Sequence, residues 1–595
     1  MRSDQFILNE ETKWSLDGHE TKLNANTVII GSPGTGKSTL EAYNILSMDQ
    51  SSHVIVDPKG VMSKTRSALE NKGYEVLELD FIDFSKSNKY NPFNYIRHNR
   101  AEEDIYAFAS ALYGDNLSLK DPYWDESAKA LLRSIIGFVY CANQRLEVRD
   151  KFNKRADILY MILSNCPNEQ QVSIKPDKQD SKKEAPDNPM LNAALRSYEK
   201  EYGYDEKRKS VQIEYILAKY KVGNYIPSAL RALKLVRSMG KDVKSVMSIL
   251  NETHQTGFGY STWILFELLQ DVIGDNLATR QFRGACTSSE KTGASTLTVL
   301  KNVLATLNFS KGLDIFSQNE INLEQIGEKK TVVFIRVPDY DTSMHKFLNI
   351  FLSQTIQVLY EQADTYADKK LKVPVLFWLD DFGSYQINDF EAIMSTARSR
   401  GIGFNLLFQS LGQLGKNYGM EAANTLVQCA DTLLYLGGND VMTISYLRNL
   451  TQWTHSHIAY LKPFETIMYQ RGIRPKKLKL IDFEKEPEKC IWNYMDEKES
   501  VFEDEVSVDI VDDIIFDDVI DDSILDNRCR KVDDIVDEEY DADFMDALDE
   551  WELPLDFEGD IIIEDSEPET DEETKRKELE QLIEKMLESR LKPVS

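Results

Sequence analysis

The sequence contains few of the residues that build metal centres and disulfide frameworks. Its 595 residues include six cysteines and seven histidines, and the cysteines are scattered without a C-x-x-C pair. This pattern excludes a disulfide scaffold or zinc module and predicts a protein of a reducing compartment. Long apolar runs are also missing: VPVLFWL, among the longest, is far shorter than the ~20 residues that cross a bilayer. No signal peptide is visible, and we expect no transmembrane segment.

Basic residues are outnumbered by acidic ones, which gives a net charge of −29, but the excess of negative charge lies mainly in one segment. Residues 496–573 contain 35 carboxylates and four basic residues, so the rest of the chain is close to neutral. A neutral body with local basic surfaces can bind a polyanion. The acidic composition therefore does not exclude nucleic acid as a partner.

The most informative segment is VIIGSPGTGKST, residues 28–39. It places a G-x-x-x-x-G-K-S motif between an apolar run typical of a strand and a segment, LEAYNIL, typical of a helix. Glycines let backbone N–H groups curl around a phosphate, and the helix N-terminus adds partial positive charge. The motif predicts a phosphate-binding loop in which Lys37 reaches the β- and γ-phosphates and Ser38 holds Mg²⁺. The predicted nucleotide-binding residues are Gly31, Ser32, Pro33, Gly34, Thr35, Gly36, Lys37, Ser38 and Thr39.

A second candidate element is VLFWLDD, a hydrophobic strand that ends in Asp380 and Asp381. The carboxyl end of such a strand lies at the sheet edge where nucleotides bind in α/β proteins. At this edge, Asp380 is expected to be the Mg²⁺-associated residue, and Asp381 is expected to orient the attacking water. We therefore predict Lys37, Asp380 and Asp381 as catalytic residues and Ser38 and Asp380 as metal ligands.

Strand-like and helix-like segments alternate at both ends of one α/β unit, which favours a buried parallel sheet. We predict strands at 26–30, 53–56, 74–79, 331–337, 373–381, 403–409 and 431–437. The middle of the chain is mostly helical in pattern. The predicted domains are a nucleotide-binding domain in two parts, 1–99 and 326–495, a helical insertion at 100–325, an acidic tail at 496–573 and a terminal helix at 574–595.

The charge density of the tail predicts a largely disordered segment. After it, Thr570 and Glu573 match a helix capping box, and apolar residues then recur at helical spacing. We expect an amphipathic docking helix here; the alternative is a helix that packs back on the body. The apolar face consists of Leu579, Leu582, Ile583, Met586, Leu587 and Leu591.

The run LDDFGSYQINDFEAIMSTARSRGIGFNLLFQSLGQLGKNYG, residues 379–419, resembles the core of the TraG/TraD-type coupling proteins of type IV secretion and conjugation systems. Further similar segments follow the same order, discontinuously over about residues 24–480. They are VDPKG (56–60), YNPFNYI (90–96), DPYWDESAKALL (121–132) and RVPDYDTSMHKFLNIFLSQTIQVLYEQAD (336–364).

The resemblance implies a RecA-like P-loop NTPase domain with an all-α insertion, using ATP and Mg²⁺ and active as a hexameric ring. Implied partners are single-stranded DNA, relaxase and relaxosome proteins and type IV secretion components. The family motif further implies that Gln409 senses the γ-phosphate and that Arg398 reaches the neighbouring subunit's site, with Arg400 as the alternative. A guanidinium there would stabilise charge on the transferred phosphoryl group.

Two departures from the family pattern affect these expectations. The family usually has Asp-Glu where this chain has Asp380-Asp381, and the shorter side chain draws the carboxylate back by about one methylene, which predicts slower hydrolysis. The family also usually carries N-terminal membrane-spanning helices, whereas the phosphate loop here begins at Gly31. We therefore expect a cytoplasmic protein, or one peripheral to the inner face of the membrane through a separate anchoring subunit.

The leading hypothesis is an ATP-driven coupling protein that recruits a relaxase–DNA substrate and drives single-stranded DNA transfer. A second hypothesis is a weakly hydrolysing, ATP-gated receptor in which the tail and terminal helix collect basic relaxosome proteins. A third is a segregation or packaging translocase of similar fold.

Overall fold

The computed structural model describes residues 3–113, 122–166, 188–203, 209–222, 226–255, 260–285, 290–304, 313–338 and 342–491. The acidic tail and the terminal amphipathic helix predicted from the sequence lie outside the described residues. No helix among the described residues is both long enough and apolar enough to cross a bilayer.

Eleven strands occur in the described part of the chain, and nine of them form one sheet. The first two strands pair with each other as a small antiparallel ribbon. The strands are β1 Gln5–Ile7, β2 Lys13–Ser15, β3 Thr27–Ile30, β4 Ser52–Val56, β5 Glu75–Asp80, β6 Thr331–Arg336, β7 Val375–Leu379, β8 Ile402–Phe408, β9 Thr432–Tyr435, β10 Glu465–Gln470 and β11 Ile473–Lys479.

The described α-helices surround the large sheet and fill the segment between β5 and β6. They are α1 Gly18–Thr21, α2 Lys37–Ser47, α3 Arg66–Asn71, α4 Ala101–Tyr113, α5 Pro122–Ala142, α6 Leu146–Ser164, α7 Pro189–Tyr202, α8 Lys209–Lys219, α9 Ile226–Val236, α10 Val243–Gln255, α11 Tyr260–Ile273, α12 Leu277–Ala285, α13 Glu290–Val303, α14 His345–Thr365, α15 Phe390–Thr396, α16 Leu411–Tyr418, α17 Met420–Gln428, α18 Val441–Thr451 and α19 His455–Ala459.

The strand order in the sheet is β11-β10-β9-β3-β8-β7-β4-β6-β5. The seven strands from β9 to β5 are parallel. Strands β10 and β11 extend the sheet beyond β9 as an antiparallel hairpin. The phosphate-loop strand β3 is the neighbour of the central strand β8, which separates it from β7. A central parallel sheet with this arrangement is a RecA-like P-loop NTPase fold, as expected from the sequence.

Both faces of the sheet are buried along β3, β4, β6, β7, β8 and β9, which explains their continuous apolar runs. Alternate residues of each strand point to opposite faces. In β7, for example, Phe377 belongs to one hydrophobic core and Trp378 to the other. The first core continues from the sheet into the helical segment, where Phe108 and Leu132 belong to it. Helices α4 to α13 and the sheet thus share one core.

The all-α insertion is confirmed, because the described residues between β5 and β6 contain helices and turns and no strand. All seven sequence-predicted strands are present, with ends that differ by at most two residues from the prediction. The domain boundaries at 99, 325 and 495 stay a prediction.

Candidate nucleotide-binding site

The glycine-rich segment forms a loop, Gly31–Gly36, between β3 and α2. At Gly36, φ is +94°, a left-handed value that favours glycine. At Gly31 the requirement is close approach, since a Cβ there would lie 2.5 Å from the Thr35 hydroxyl oxygen. The loop is anchored to both neighbouring strands: Gly31 N–H donates to the Phe408 carbonyl (3.1 Å) and Ser32 N–H to the Gly437 carbonyl (2.9 Å).

The remaining predicted loop residues differ in their exposure. Pro33 and Gly34 are exposed at the loop tip, and Ser38 is half-buried on the first turn of α2. Thr39 is buried under the loop. The Thr35 hydroxyl donates to the Ser32 carbonyl (2.8 Å), which tightens the loop. The exposed tip, the turn at the start of α2 and the left-handed glycine together form the cradle that a phosphate chain requires.

Lys37 lies across the loop, half-buried. Its ammonium group donates hydrogen bonds to the carbonyls of Gly31 and Ser32. Burial lowers the pKa of Lys37, and the negative charge of Asp380 is the largest influence that opposes this shift. The structure therefore brings Lys37 and Asp380, 343 positions apart in the sequence, within electrostatic reach of each other.

Asp380 follows β7 directly and is 9% exposed. Burial raises the pKa of this carboxyl group, while a hydrogen bond from Asp381 N–H (2.9 Å) and the charges of Lys37 and Lys59 act in the opposite direction. Lys59 comes from the loop after β4, the strand beside β7. Two cations therefore face this one buried carboxylate.

Asp381 adopts a left-handed backbone conformation with φ of +49°. Both of its carboxylate oxygens accept hydrogen bonds. The Ser384 hydroxyl donates to Oδ2, and the side-chain amide of Gln413 donates to Oδ1 (3.2 Å). Ser384 lies in the short 3-10 turn Phe382–Ser384 after β7, and Gln413 in the first turn of α16.

Gln409 follows β8, which lies between β3 and β7. The register aligns Ile30 with Phe408, so Gln409 is level with the first residue of the phosphate loop. Its side chain is exposed, and its backbone N–H donates to Oε1 of Gln413 (3.2 Å). Gln409, Asp380 and the loop therefore share the carboxyl edge of the sheet.

Arg398 and Arg400 lie in the 3-10 turn before β8, at the opposite end of the strand. Arg398 is exposed and donates to the Gly18 carbonyl (2.9 Å). Arg400 pairs with Asp364 (3.3 Å), and its guanidinium lies 4.4 Å from the ring centre of Tyr360. The whole of β8 separates this turn from the phosphate loop, so neither arginine lies near the phosphate loop of its own chain.

Sequence reasoning missed Glu41, a carboxylic acid on α2 just after the phosphate loop. The side chain is fully buried, and neither carboxyl oxygen has a hydrogen-bond partner among the described residues. Burial raises the pKa of Glu41 well above its ordinary value, and the charges of Asp380 and Asp57 raise it further. The sequence signal for Glu41 was a single acidic residue within the helix segment Thr39–Leu46. All residues of this segment are buried in the structure.

Sequence reasoning also missed Gln413, which contacts both Asp381 and the backbone of Gln409. The signal for Gln413 was its place in the first turn after Ser410, whose hydroxyl accepts from Gln413 N–H (3.1 Å) and caps α16.

Acidic residues alone do not form a metal centre here. The described part of the chain contains no group of three or more His, Cys, Asp or Glu side chains placed to hold a metal ion. The carboxylate of Asp57 accepts hydrogen bonds from the backbone N–H groups of Val61 and Ser63, both at 2.9 Å, and so stabilises the turn after β4.

A phosphate loop and a buried acidic strand end at one edge of a RecA-like sheet define a P-loop NTPase. A family model described as type IV secretory system conjugative DNA transfer matches residues 6–225 and 234–452. Since these segments cover well over half of the sequence, the chain belongs to this family. The resemblance to TraG/TraD-type coupling proteins is thereby confirmed.

Several solved structures are similar at low identity. The bacterial conjugative coupling protein TrwBdeltaN70, in its unbound monoclinic form, is 14% identical with a TM-score of 0.46, over 81% of this chain and 89% of that one. TrwB in complex with ADP and Mg²⁺ is 14% identical with a TM-score of 0.43, over 77% and 85%. VirB4 of Thermoanaerobacter pseudethanolicus is 11% identical with a TM-score of 0.43, over 82% and 98%. No curated protein sequence matches the chain.

Proposed function

We propose that this protein is an ATPase that drives transfer of single-stranded DNA through a type IV secretion machinery. The observation that carries the proposal is the meeting of Lys37 and Asp380 at one sheet edge. Lys37 is flexible enough to leave the loop carbonyls for the β- and γ-phosphates. The loop N–H groups and the start of α2 hold the phosphate chain.

Ser38 and Asp380 are the residues that would hold Mg²⁺, and the remaining ligands would be phosphate oxygens and water. Bound Mg²⁺ neutralises phosphate charge and aligns the triphosphate. Asp381 would accept a hydrogen bond from the attacking water, and Gln409, level with the loop, would contact the γ-phosphate. These roles follow from the side chains that converge on the carboxyl edge.

Arg398 is proposed to act in a neighbouring subunit. It is exposed at the amino end of β8, where it cannot reach its own loop but is available to another chain. Arg400 is less suited, because Asp364 and Tyr360 already hold it. This proposal requires a homo-oligomer, and a hexameric ring would place six arginines at six sites.

The proposed substrate is a relaxase–DNA complex, and the partners are relaxosome proteins and the secretion channel. A ring needs few phosphate contacts per subunit, because six copies surround one strand. If the chain works at the membrane, a separate anchoring subunit would bring it there.

The first test is ATP hydrolysis with and without single-stranded DNA. We expect stimulation by DNA in the wild type, and a loss of at least about 100-fold in Lys37→Ala, because the ammonium that contacts the transferred phosphate is gone. Lys13→Ala, at an exposed lysine on β2, is the matched control and should hydrolyse ATP normally. A normal rate in Lys37→Ala would remove the ATPase assignment.

A second candidate function is an ATP-gated receptor that hydrolyses slowly. The short side chain of Asp381, which draws the carboxylate back from the attacking water by about one methylene, favours it. In that case the wild type binds Mg·ATP in calorimetry yet turns over slowly with and without DNA, and Asp381→Glu increases the rate. The motor proposal expects DNA-stimulated turnover in the wild type.

A further inference from the structure

One amide side chain joins the ends of two strands at the proposed site. Oε1 of Gln413 accepts a hydrogen bond from the backbone N–H of Gln409 (3.2 Å), which follows β8. Nε2 of the same amide donates to Oδ1 of Asp381 (3.2 Å), which follows β7. Gln413 therefore connects the proposed water-orienting carboxylate with the backbone of the proposed γ-phosphate sensor.

The two partners fix the orientation of this amide. A backbone N–H can only donate and a carboxylate can only accept, so a flipped amide would lose both hydrogen bonds. The side chain is also confined sterically by Gly383. A Cβ at position 383 would lie 2.6–2.8 Å from side-chain atoms of Gln413, so a larger residue there would displace this side chain.

The contact leaves Asp381 able to accept a further hydrogen bond. A carboxylate offers about four lone-pair positions. Gln413 occupies one on Oδ1 and Ser384 one on Oδ2. With both oxygens held, the carboxylate cannot rotate freely, yet each oxygen keeps a position for water. Orientation matters here because aspartate reaches less far than glutamate, so a rotated carboxylate would lose the water.

We propose that Gln413 is a positioning residue for ATP hydrolysis: it orients Asp381 towards the attacking water and couples that orientation to the end of β8. The inference rests on the proposed ATPase function. In the step concerned, the water oxygen forms a bond to the γ-phosphorus while the bond from that phosphorus to the bridging oxygen breaks. The products are ADP and inorganic phosphate, and the proton that the water loses passes through Asp381 to solvent.

The experiment compares Gln413→Leu with Gln413→Glu in the full-length protein. Leu removes both hydrogen bonds, and we expect kcat to fall by about 10- to 100-fold, with KM and the Kd for Mg·ATP within about twofold of wild type. Glu keeps the acceptor for Gln409 N–H but loses the donor and adds negative charge beside Asp381. In Gln413→Glu kcat should therefore fall at least as far as in Gln413→Leu, because the hydrogen bond that orients Asp381 is lost in both variants.

A double-mutant cycle separates positioning from general packing. In an Asp381→Asn background, measured in single turnovers, Gln413→Leu should cause little further loss, since the group it positions is already impaired. Gln386→Leu is the matched control. Gln386 is another glutamine that joins the region after β7 to α16, donating to the Asn417 carbonyl without contacting Asp381. It should retain the wild-type rate.

The inference is overturned if Gln413→Leu keeps the wild-type kcat, if its loss is equally large in the Asp381→Asn background, or if Gln386→Leu loses as much. A rise in kcat would also contradict it, because Gln413 would then restrain Asp381. If Gln413→Leu does not fold, the kcat of Gln413→Glu decides, and a wild-type value there overturns the inference. Absence of ATP hydrolysis in the wild type would instead reject the proposed function together with this inference, whereas an active wild type with an unaffected Gln413→Leu rejects the inference alone.

Discussion

Glu41 is a carboxylic acid in fully buried surroundings, which disfavour its charged form. An ionised carboxylate in full burial without hydrogen bonds is costly, so burial raises the pKa of Glu41 and favours its neutral form. Its oxygens face the negative charges of Asp57 and Asp380, which reinforce the effect. This buried carboxyl group thus lies on α2, the helix that also carries Lys37 and Ser38. The raised pKa of Glu41 lowers the free energy of unfolding only at pH values where this carboxyl group would be ionised in the unfolded chain.

This gives a prediction about pH and stability. In the unfolded chain Glu41 ionises near its ordinary pKa of 4.5, whereas in the folded protein its pKa is higher. As pH rises above that ordinary value, the unfolded state loses the proton first and is favoured. Glu41→Gln removes this effect, so without nucleotide the variant should gain stability relative to wild type as pH rises from 5 to 8, as measured by urea unfolding.

The control for this measurement is Glu214→Gln, at an exposed position in the middle of α8. Its free energy of unfolding should follow the wild-type pH dependence. A constant difference between wild type and Glu41→Gln across this pH range would show that Glu41 is ionised in the folded protein.

At the scale of elements, β3 to β9 were predicted, whereas β1, β2, β10 and β11 were not. Strands β3 to β9 were predicted because burial on both faces leaves a continuous apolar run. β11 was missed because it is an edge strand, IRPKKLK, most of whose residues are exposed, so its sequence carries no apolar pattern. β1 and β2 were missed because three residues are too few for a periodicity.

Close packing of the central strands yields a second prediction. In β8, a Cβ on Gly403 would lie 2.7 Å from the Ala25 Cβ and 2.9 Å from a methyl of Leu376. Gly403→Ala should therefore lower the free energy of unfolding by about 1–3 kcal/mol, through overpacking of a sheet that cannot shift locally. Urea unfolding at constant pH measures this change in the free energy of unfolding.

Gly284→Ala is the matched control, because a Cβ added to this exposed glycine in α12 would have nothing within 4 Å. It should be neutral or gain up to about 1 kcal/mol from helix propensity. Equal stability of the two variants would mean that the sheet at β8 adjusts without cost.

At the scale of the whole molecule, the two ends of β8 carry different parts of the proposed site. Gln409 is at the carboxyl end beside the phosphate loop, and Arg398 is at the amino end. Seven strand residues at about 3.3 Å each separate them by roughly 23 Å. One chain therefore cannot bring Arg398 to its own nucleotide, and a second chain is needed to complete the proposed arrangement.

Mixing two inactive variants tests this arrangement. Lys37→Ala lacks the phosphate contact and Arg398→Ala lacks the arginine, and each alone should lose at least about 100-fold in ATP hydrolysis. In a mixed oligomer, about a quarter of the interfaces join an intact loop to an intact arginine. Activity should therefore reappear on mixing. Arg400→Ala, the matched comparison, should stay active alone, since its partners lie in its own chain.

No recovery in the mixture, with oligomers present by size-exclusion chromatography, would contradict a role for Arg398 in trans. Substantial activity of Arg398→Ala alone would exclude it from the reaction.

The sequence by itself determined the phosphate loop, the apolar strands and the order of strand and helix, because these depend on short-range geometry and on a repeat of two or of 3.6 residues. Family-specific motifs then indicated the conjugative family. Only the tertiary structure decided that β8 lies between β3 and β7, that Gln413 joins Asp381 to Gln409, and that Glu41 is buried beside Asp57 and Asp380. These contacts join segments far apart in the chain, and their formation depends on how the two hydrophobic cores pack against the sheet.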